Sequence, residues 1–140
     1  MAEENTAEHE RLVLLVDDRP ASAAALEMVV GEMFGFAVHT VANGAAAWRF
    51  LESAAGKSVQ AVITDLDMPL ISGMELIRRM RSDSLHSATP IIVISGTTDP
   101  AAPQRALQAG ANAFFPKPWS PGQVCATLEQ LLYERNAKRP

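Results

Sequence analysis

The chain has 140 residues, 48% of them apolar and 20% charged, and carries a formal net charge of −4. That length suits one domain with a real core and is short for two. The composition excludes a disordered chain, and the mild acidity argues against direct nucleic-acid binding through a basic face.

The first ten residues, MAEENTAEHE, are acidic and lack an apolar run, so 1–10 reads as a polar tail and not a signal peptide. RLVLLV (11–16) is a short branched apolar run, the pattern of a buried strand, and it ends at Asp17 and Asp18. Residues 20–35 read as a helix with Pro20 in its first turn, Leu26, Val29, Val30 and Met33 on one face, and Gly35 as its stop. FAVHTV (36–41) is a second strand, and 43–56 a second helix with Gly56 as its stop. VQAVIT (59–64) is a third strand, ending at Asp65. A helix follows over 72–83, where Ser72 and Glu75 have the spacing of a capping box and Met74, Ile77 and Met80 or Arg81 share a face. PIIVIS (90–95) is a fourth strand, ending at Ser95 and Gly96. A shorter helix lies in 100–110 with Pro103 near its first turn, and ANAFF (111–115) is the fifth strand. The last helix spans 120–136, with Ser120 as N-cap, Pro121 at the first helical position and Gln123 completing a second capping box. Residues 137–140 read as a tail or the start of a linker.

Five strand–helix units in strict alternation predict an α/β fold: a doubly wound five-stranded parallel sheet, covered by helices on both faces, with right-handed crossovers. Parallel strands all point one way, so the polar residues at their ends gather at one edge. Ligands bind at that edge, where the winding reverses. In the order 2-1-3-4-5 the strands carrying Asp17, Asp18 and Asp65 are neighbours, and Ser95 and Lys117 lie on the same side.

Taken singly, each residue has an ordinary structural reading. An Asp at a strand end is usually a turn or cap, and Asp18 could cap the helix that begins at Pro20. A strand-end Ser is usually incidental, and Lys117 alone could be a surface cation. Grouped, three carboxylates repel one another unless a cation relieves them. A hard divalent ion such as Mg²⁺ takes one or two carboxylates, keeps waters and leaves room for phosphate oxygens. An Asp beside such a metal can take a phosphoryl group as a nucleophile.

With these residues in place, the chain resembles the receiver domain of bacterial two-component response regulators. The resemblance runs from about Leu12 to Tyr133, and a receiver domain is expected over 11–136. It is carried by LLVDD (14–18), VITDLDMPLISG (62–73), IIVISG (91–96) and FFPKP (114–118), in family order and spacing. It implies a flavodoxin-like fold with five helices, in which Asp65 accepts a phosphoryl group from a phosphohistidine on a sensor histidine kinase or phosphotransfer protein. Asp18 and Asp65 would bind Mg²⁺ directly, Asp17 through water, and Asp67 through its backbone carbonyl. Ser95 would bond the phosphoryl group, and Lys117 would pair with it through a cis bond to Pro118. Ser95, Phe114 and Pro118 would belong to the switch that alters the surface of helix four, strand five and helix five. Self-catalysed phosphorylation and slow autodephosphorylation are expected, not enzymatic turnover. The partners implied are the phosphodonor and a downstream effector or output domain, with room for a homodimer on phosphorylation. Neither a membrane nor nucleic acid is an expected partner of this chain, and the location implied is cytoplasmic. Phe114 departs from the family's usual Tyr or His, and Gly96 from its usual Ala.

Two rivals share parts of this pattern. A haloacid-dehalogenase-like phosphatase also uses an Asp-x-Asp after a strand, but on the first strand of its core and with a late acidic motif. A pseudo-receiver would be an interaction module lacking one of the acids or the lysine, whereas all stand here. The lone Cys125, in a helical pattern, reads as a small buried residue and not a nucleophile. His9, His39 and His86 are scattered, which argues against zinc, and Trp48 and Trp119 read as packing residues.

Overall fold

The computed structural model describes residues 11–68 and 70–137. The expected tail over 1–10, His9, Pro69 of the second motif and residues 138–140 lie outside the described residues. The elements run β1 (Leu12–Val16), α1 (Pro20–Glu27) with a π-helical continuation (Met28–Met33), β2 (Ala37–Val41), α2 (Gly44–Glu52), a 3₁₀ turn (Ala54–Ser58) and β3 (Val59–Thr64). They continue α3 (Gly73–Ser82), β4 (Ile91–Ser95), α4 (Ala102–Ala109), β5 (Ala113–Pro116) and α5 (Pro121–Ala137). All strand pairs are parallel, in the order β2-β1-β3-β4-β5.

Alternation along each strand divides the core into two layers. Leu14, Val16, Val62, Ile91 and Val93 pack against Ala47 and Leu51 of α2, Leu76, Ile77 and Met80 of α3, and Ala102 and Ala106 of α4. Val13, Leu15, Ala61, Ile63, Ile92 and Ile94 face Leu26, Val29 and Val30 of the first helix and Val124, Cys125 and Leu128 of α5. Period-two alternation makes this two-sided packing possible, and short strands buried on both faces explain the unbroken apolar runs.

Several local expectations change. Met33 does not join the face of Leu26, Val29 and Val30 but is 65% exposed. From Met28 the helix winds wider, and a π turn takes one residue more than an α turn, so Met33 is carried outward. The second helix ends earlier than Gly56, where Ser53 turns extended (ψ 169°) and its hydroxyl donates to the Phe50 carbonyl. Gly56 is needed for a different reason: a Cβ there would run into the carbonyls of Phe50 and Leu51. Ser72 caps α3 by accepting from the Glu75 N–H, but the Glu75 carboxylate turns to Arg79 one turn on, so only half of the capping box forms. Asp18 does not cap α1. Arg19 holds the cap position, and the side chain that ties this turn is Asp17.

His86 is fully buried, bonding the Thr89 hydroxyl and the Leu51 carbonyl, while His39 is exposed and stacks on Phe50. Trp48 and Trp119 are half-buried against the two core layers. Cys125 is buried, and burial followed by the charge of Glu129 pushes its thiol up to about 11, which suits a packing residue and not a nucleophile. Among the described residues, no helix is long and apolar enough to cross a membrane.

Candidate functional site

The site is built by register. Val16 stands opposite Thr64 in the β1–β3 pair, so the next residues out, Asp17 and Asp65, leave the sheet side by side. The Asp65 N–H donates to the Val16 carbonyl at 3.1 Å, extending the ladder by one step into the site. Ser95 stands opposite Pro116 in the β4–β5 pair, and the Lys117 N–H donates to the Ser95 carbonyl at 2.9 Å. That bond fixes the base of the lysine, and the Lys117–Pro118 peptide that follows is cis.

The Lys117 ammonium lies 3.1 Å from Asp65 Oδ2 and 4.0 Å from Asp17 Oδ2. Both acids are nearly closed off from solvent, Asp17 at 4% and Asp65 at 5% exposure. Buried carboxylates need partners for every oxygen. Asp17 Oδ1 accepts from the Arg19 N–H at 2.9 Å. Asp65 Oδ1 accepts from the Leu66 N–H at 2.6 Å and the Asp67 N–H at 3.3 Å. One oxygen of each acid is therefore fixed by backbone, and the other faces the cation. Gly73 closes this loop through its N–H to the Leu66 carbonyl at 3.0 Å, and a Cβ at Gly73 would collide with the Asp65 carbonyl.

Ser95 is fully buried, and its hydroxyl accepts from the Thr97 N–H at 3.2 Å. Gly96 is exposed and leaves room beside Lys117, since a Cβ there would stand 3.7 Å from the lysine Cδ. Phe114 is half-buried against the α2–α4 layer, while Pro118 and Asp67 are exposed. Asp18 is exposed too, and the structure does not draw it into the Asp17–Asp65–Lys117 group. Among the described residues, no three His, Cys, Asp or Glu side chains stand together as a preformed metal cage. The donor set still suits a hard cation, because it offers only oxygens and because Mg²⁺ commonly needs just one or two carboxylates beside its waters. The contributions missed from sequence are the N–H groups of Arg19, Leu66, Asp67 and Thr97. Every residue but proline carries such a donor, so no residue type announces it.

The chain matches the response regulator receiver domain family over residues 13–129 and belongs to it. It is 32% identical over 120 residues to the chemotaxis protein CheY1 of Helicobacter pylori, covering 86% of this chain and 95% of that one. It is 26% identical to Response regulator Rre1 of Synechocystis over 89% of this chain, and spans only 53% of that relative's length. The crystal structure of a putative response regulator from Chloroflexus aurantiacus superposes with a TM-score of 0.81 at 28% identity, covering 88% of this chain and 98% of that one. A receiver domain of a sensor histidine kinase from Pseudomonas aeruginosa, with a magnesium ion coordinated in its active-site cleft, shares the fold at a TM-score of 0.76 and 24% identity, covering 87% of this chain and 97% of that one. The chain is thus a receiver domain of two-component signalling, with the five-stranded flavodoxin-like architecture expected.

Proposed function

We propose that Asp65 accepts a phosphoryl group from a phosphohistidine of a sensor histidine kinase or phosphotransfer protein, and that Lys117 and Ser95 report the new charge. The observation that carries this reading is the lysine ammonium held at 3.1 Å from Asp65 Oδ2 and 4.0 Å from Asp17 Oδ2, at the ends of adjacent strands. Asp65 Oδ1 is committed to two backbone N–H groups, so Oδ2 is the oxygen available to attack. Oδ2 forms the P–O bond as the P–N bond of the donor breaks, and the electron pair returns to the imidazole nitrogen. Asp17, Asp18, Asp65 and the Asp67 carbonyl would hold Mg²⁺, which when bound would neutralise charge on the phosphoryl oxygens.

Lys117 then transfers its contact from the carboxylate to the phosphoryl oxygens. The Ser95 hydroxyl, now turned to the Thr97 N–H, is drawn the same way, and Phe114 follows into the space released. This biases a two-state surface formed by α4, β5 and α5. The product stays on Asp65, so the domain signals and does not turn over an external substrate. We assign residues 11–136 to this domain, place it in the cytoplasm, and expect an effector, an output domain or a second copy to read the switched surface.

Incubation with acetyl phosphate and Mg²⁺ should add one phosphoryl mass, and EDTA or Asp65→Asn should abolish it. Undiminished labelling of Asp65→Asn overturns the assignment. Hydrogen exchange with and without beryllofluoride should differ across residues 96–119, and identical exchange there would argue for a passive phosphate carrier.

A further inference from the structure

Leu70 combines two unusual properties. It sits in the left-handed region at φ 69°, which favours glycine and strains a leucine, and it is 82% exposed. Described residues on both sides of it are held by the fold. Leu66 is buried, Met68 and Ile71 pack against the α2–α4 core layer, and the Gly73 N–H closes on the Leu66 carbonyl. With Met68 and Ile71 packed on the core, Leu70 itself stands outward, and the fold gains no burial from it. Among the described residues, the other large exposed apolar side chains are elsewhere: Met28, Met33, Leu107 and Tyr133 lie on helices, and Leu85 lies on the α3–β4 turn at the opposite edge of the sheet. Leu70 alone among them stands on a loop at the carboxyl edge, five residues past Asp65.

Asp65 is only 5% exposed, so a phosphoryl donor must reach into the edge to meet it. A histidine side chain is short. The protein surface that carries it must rest against the rim made by the segments following the strands. Besides Leu70, the exposed residues described there are polar, small or proline, among them Asp18, Arg19, Asp67, Gly96, Thr98 and Pro118. We infer that Leu70 is an apolar anchor for the protein that delivers the phosphoryl group, meeting an apolar patch beside the donor's histidine. This rests on Asp65 being the phosphoacceptor. A small donor such as acetyl phosphate needs no rim contact and should ignore Leu70.

The test compares two donors on wild type, Leu70→Asn and Leu70→Met. One donor is acetyl phosphate. The other is the purified, autophosphorylated histidine kinase that labels wild type fastest in a panel of such kinases. Asn tolerates the left-handed conformation but removes the apolar surface, whereas Met keeps that surface. Leu70→Asn should lower kcat/KM with the kinase about tenfold, mainly through KM, since a well-buried apolar anchor is worth at least that factor. Leu70→Met should recover most of the loss. With acetyl phosphate all three rates should agree within about twofold, and the melting temperature of Leu70→Asn should be unchanged or higher as strain is relieved. Unchanged kinase kinetics in Leu70→Asn overturns the inference, as does an equal loss with both donors, which would make Leu70 a determinant of the site itself. If no kinase labels wild type while acetyl phosphate does, the donor-anchor role falls and the phosphoacceptor assignment stands. If acetyl phosphate fails to label wild type, the assignment of Asp65 falls first.

Discussion

The two edges of the sheet each hold a charged side chain that ties several elements together, and they satisfy it in opposite ways. At the carboxyl edge, Lys117 lies between two nearly buried carboxylates, and the exposed Asp18 and Asp67 add further negative charge nearby. At the amino edge, Arg81 leaves the end of α3 and donates to the carbonyls of Gly110 and Thr89 at 2.9 Å, of His86 at 3.1 Å, and to Asn112 Oδ1 at 3.1 Å. Asn112 Oδ1 also accepts from the Ile91 N–H at 2.8 Å, so this knot joins α3, the start of β4 and the start of β5. Burial, and then the charge of Arg135, holds the Arg81 guanidinium below its usual value, which fits a cation surrounded by neutral acceptors. The difference is one of exchangeability. Carbonyls that belong to the backbone cannot leave, so the Arg81 end is a clamp. Two carboxylates outnumber their one cation at the other edge, so under the function proposed above they would take a metal beside Lys117 and the lysine would move its contact to a phosphoryl group, which would make the Lys117 end a switch.

The largest expected effect separates the edges outright. Asp65→Asn should lose acetyl-phosphate labelling entirely while keeping the fold, whereas Arg81→Ala should keep labelling and lose stability. Intact-mass measurement on both variants decides this, and loss of labelling in a folded Arg81→Ala would show that the two ends are not independent.

Arg81→Ala should cost about 3 kcal/mol in denaturant unfolding, because several hydrogen bonds from one charged group disappear and their acceptors are left half-buried. Arg81→Lys should recover less than half, since an ammonium cannot reproduce the planar fork. Equal stability of the lysine variant would mean that charge alone matters there.

A smaller effect is expected at the Lys117 end. Lys117→Ala leaves Asp17 and Asp65 facing each other without their cation and should cost about 2 kcal/mol in EDTA. Mg²⁺ should return most of it by binding the native state, and labelling should remain detectable. A loss that Mg²⁺ does not touch would mean that the lysine acts as a clamp as well.

The smallest effect belongs to Asp18. It is exposed and outside the ion-paired group, so Asp18→Asn should stabilise the metal-free protein by only about 0.5 kcal/mol while weakening Mg²⁺ binding measured by titration. Destabilisation of the metal-free form would show that crowding of acids is not what it relieves.

Most of the fold was legible along the chain, because period-two and period-3.6 burial leave their mark residue by residue. The strands, their alternation with helices, and the polar residues closing β1, β3 and β4 followed from that mark. Parallel strands then force Asp17, Asp65, Ser95 and Lys117 to one edge without further information. Contacts between segments distant in sequence were decided only in three dimensions. The register of Val16 against Thr64 makes Asp17 and Asp65 neighbours, and Asp17, not Asp18, turns inward. The wider winding after Glu27 expels Met33, and the loop anchored by Met68 and Ile71 twists Leu70 into a conformation its side chain does not favour. Arg81, Gly110 and Asn112 meet from segments about thirty residues apart, and the backbone acceptors that hold Arg81 carry no residue-type signature. Local burial pattern is a property of each segment, whereas pairing of charges and strain in a loop depend on which other segments happen to close against it.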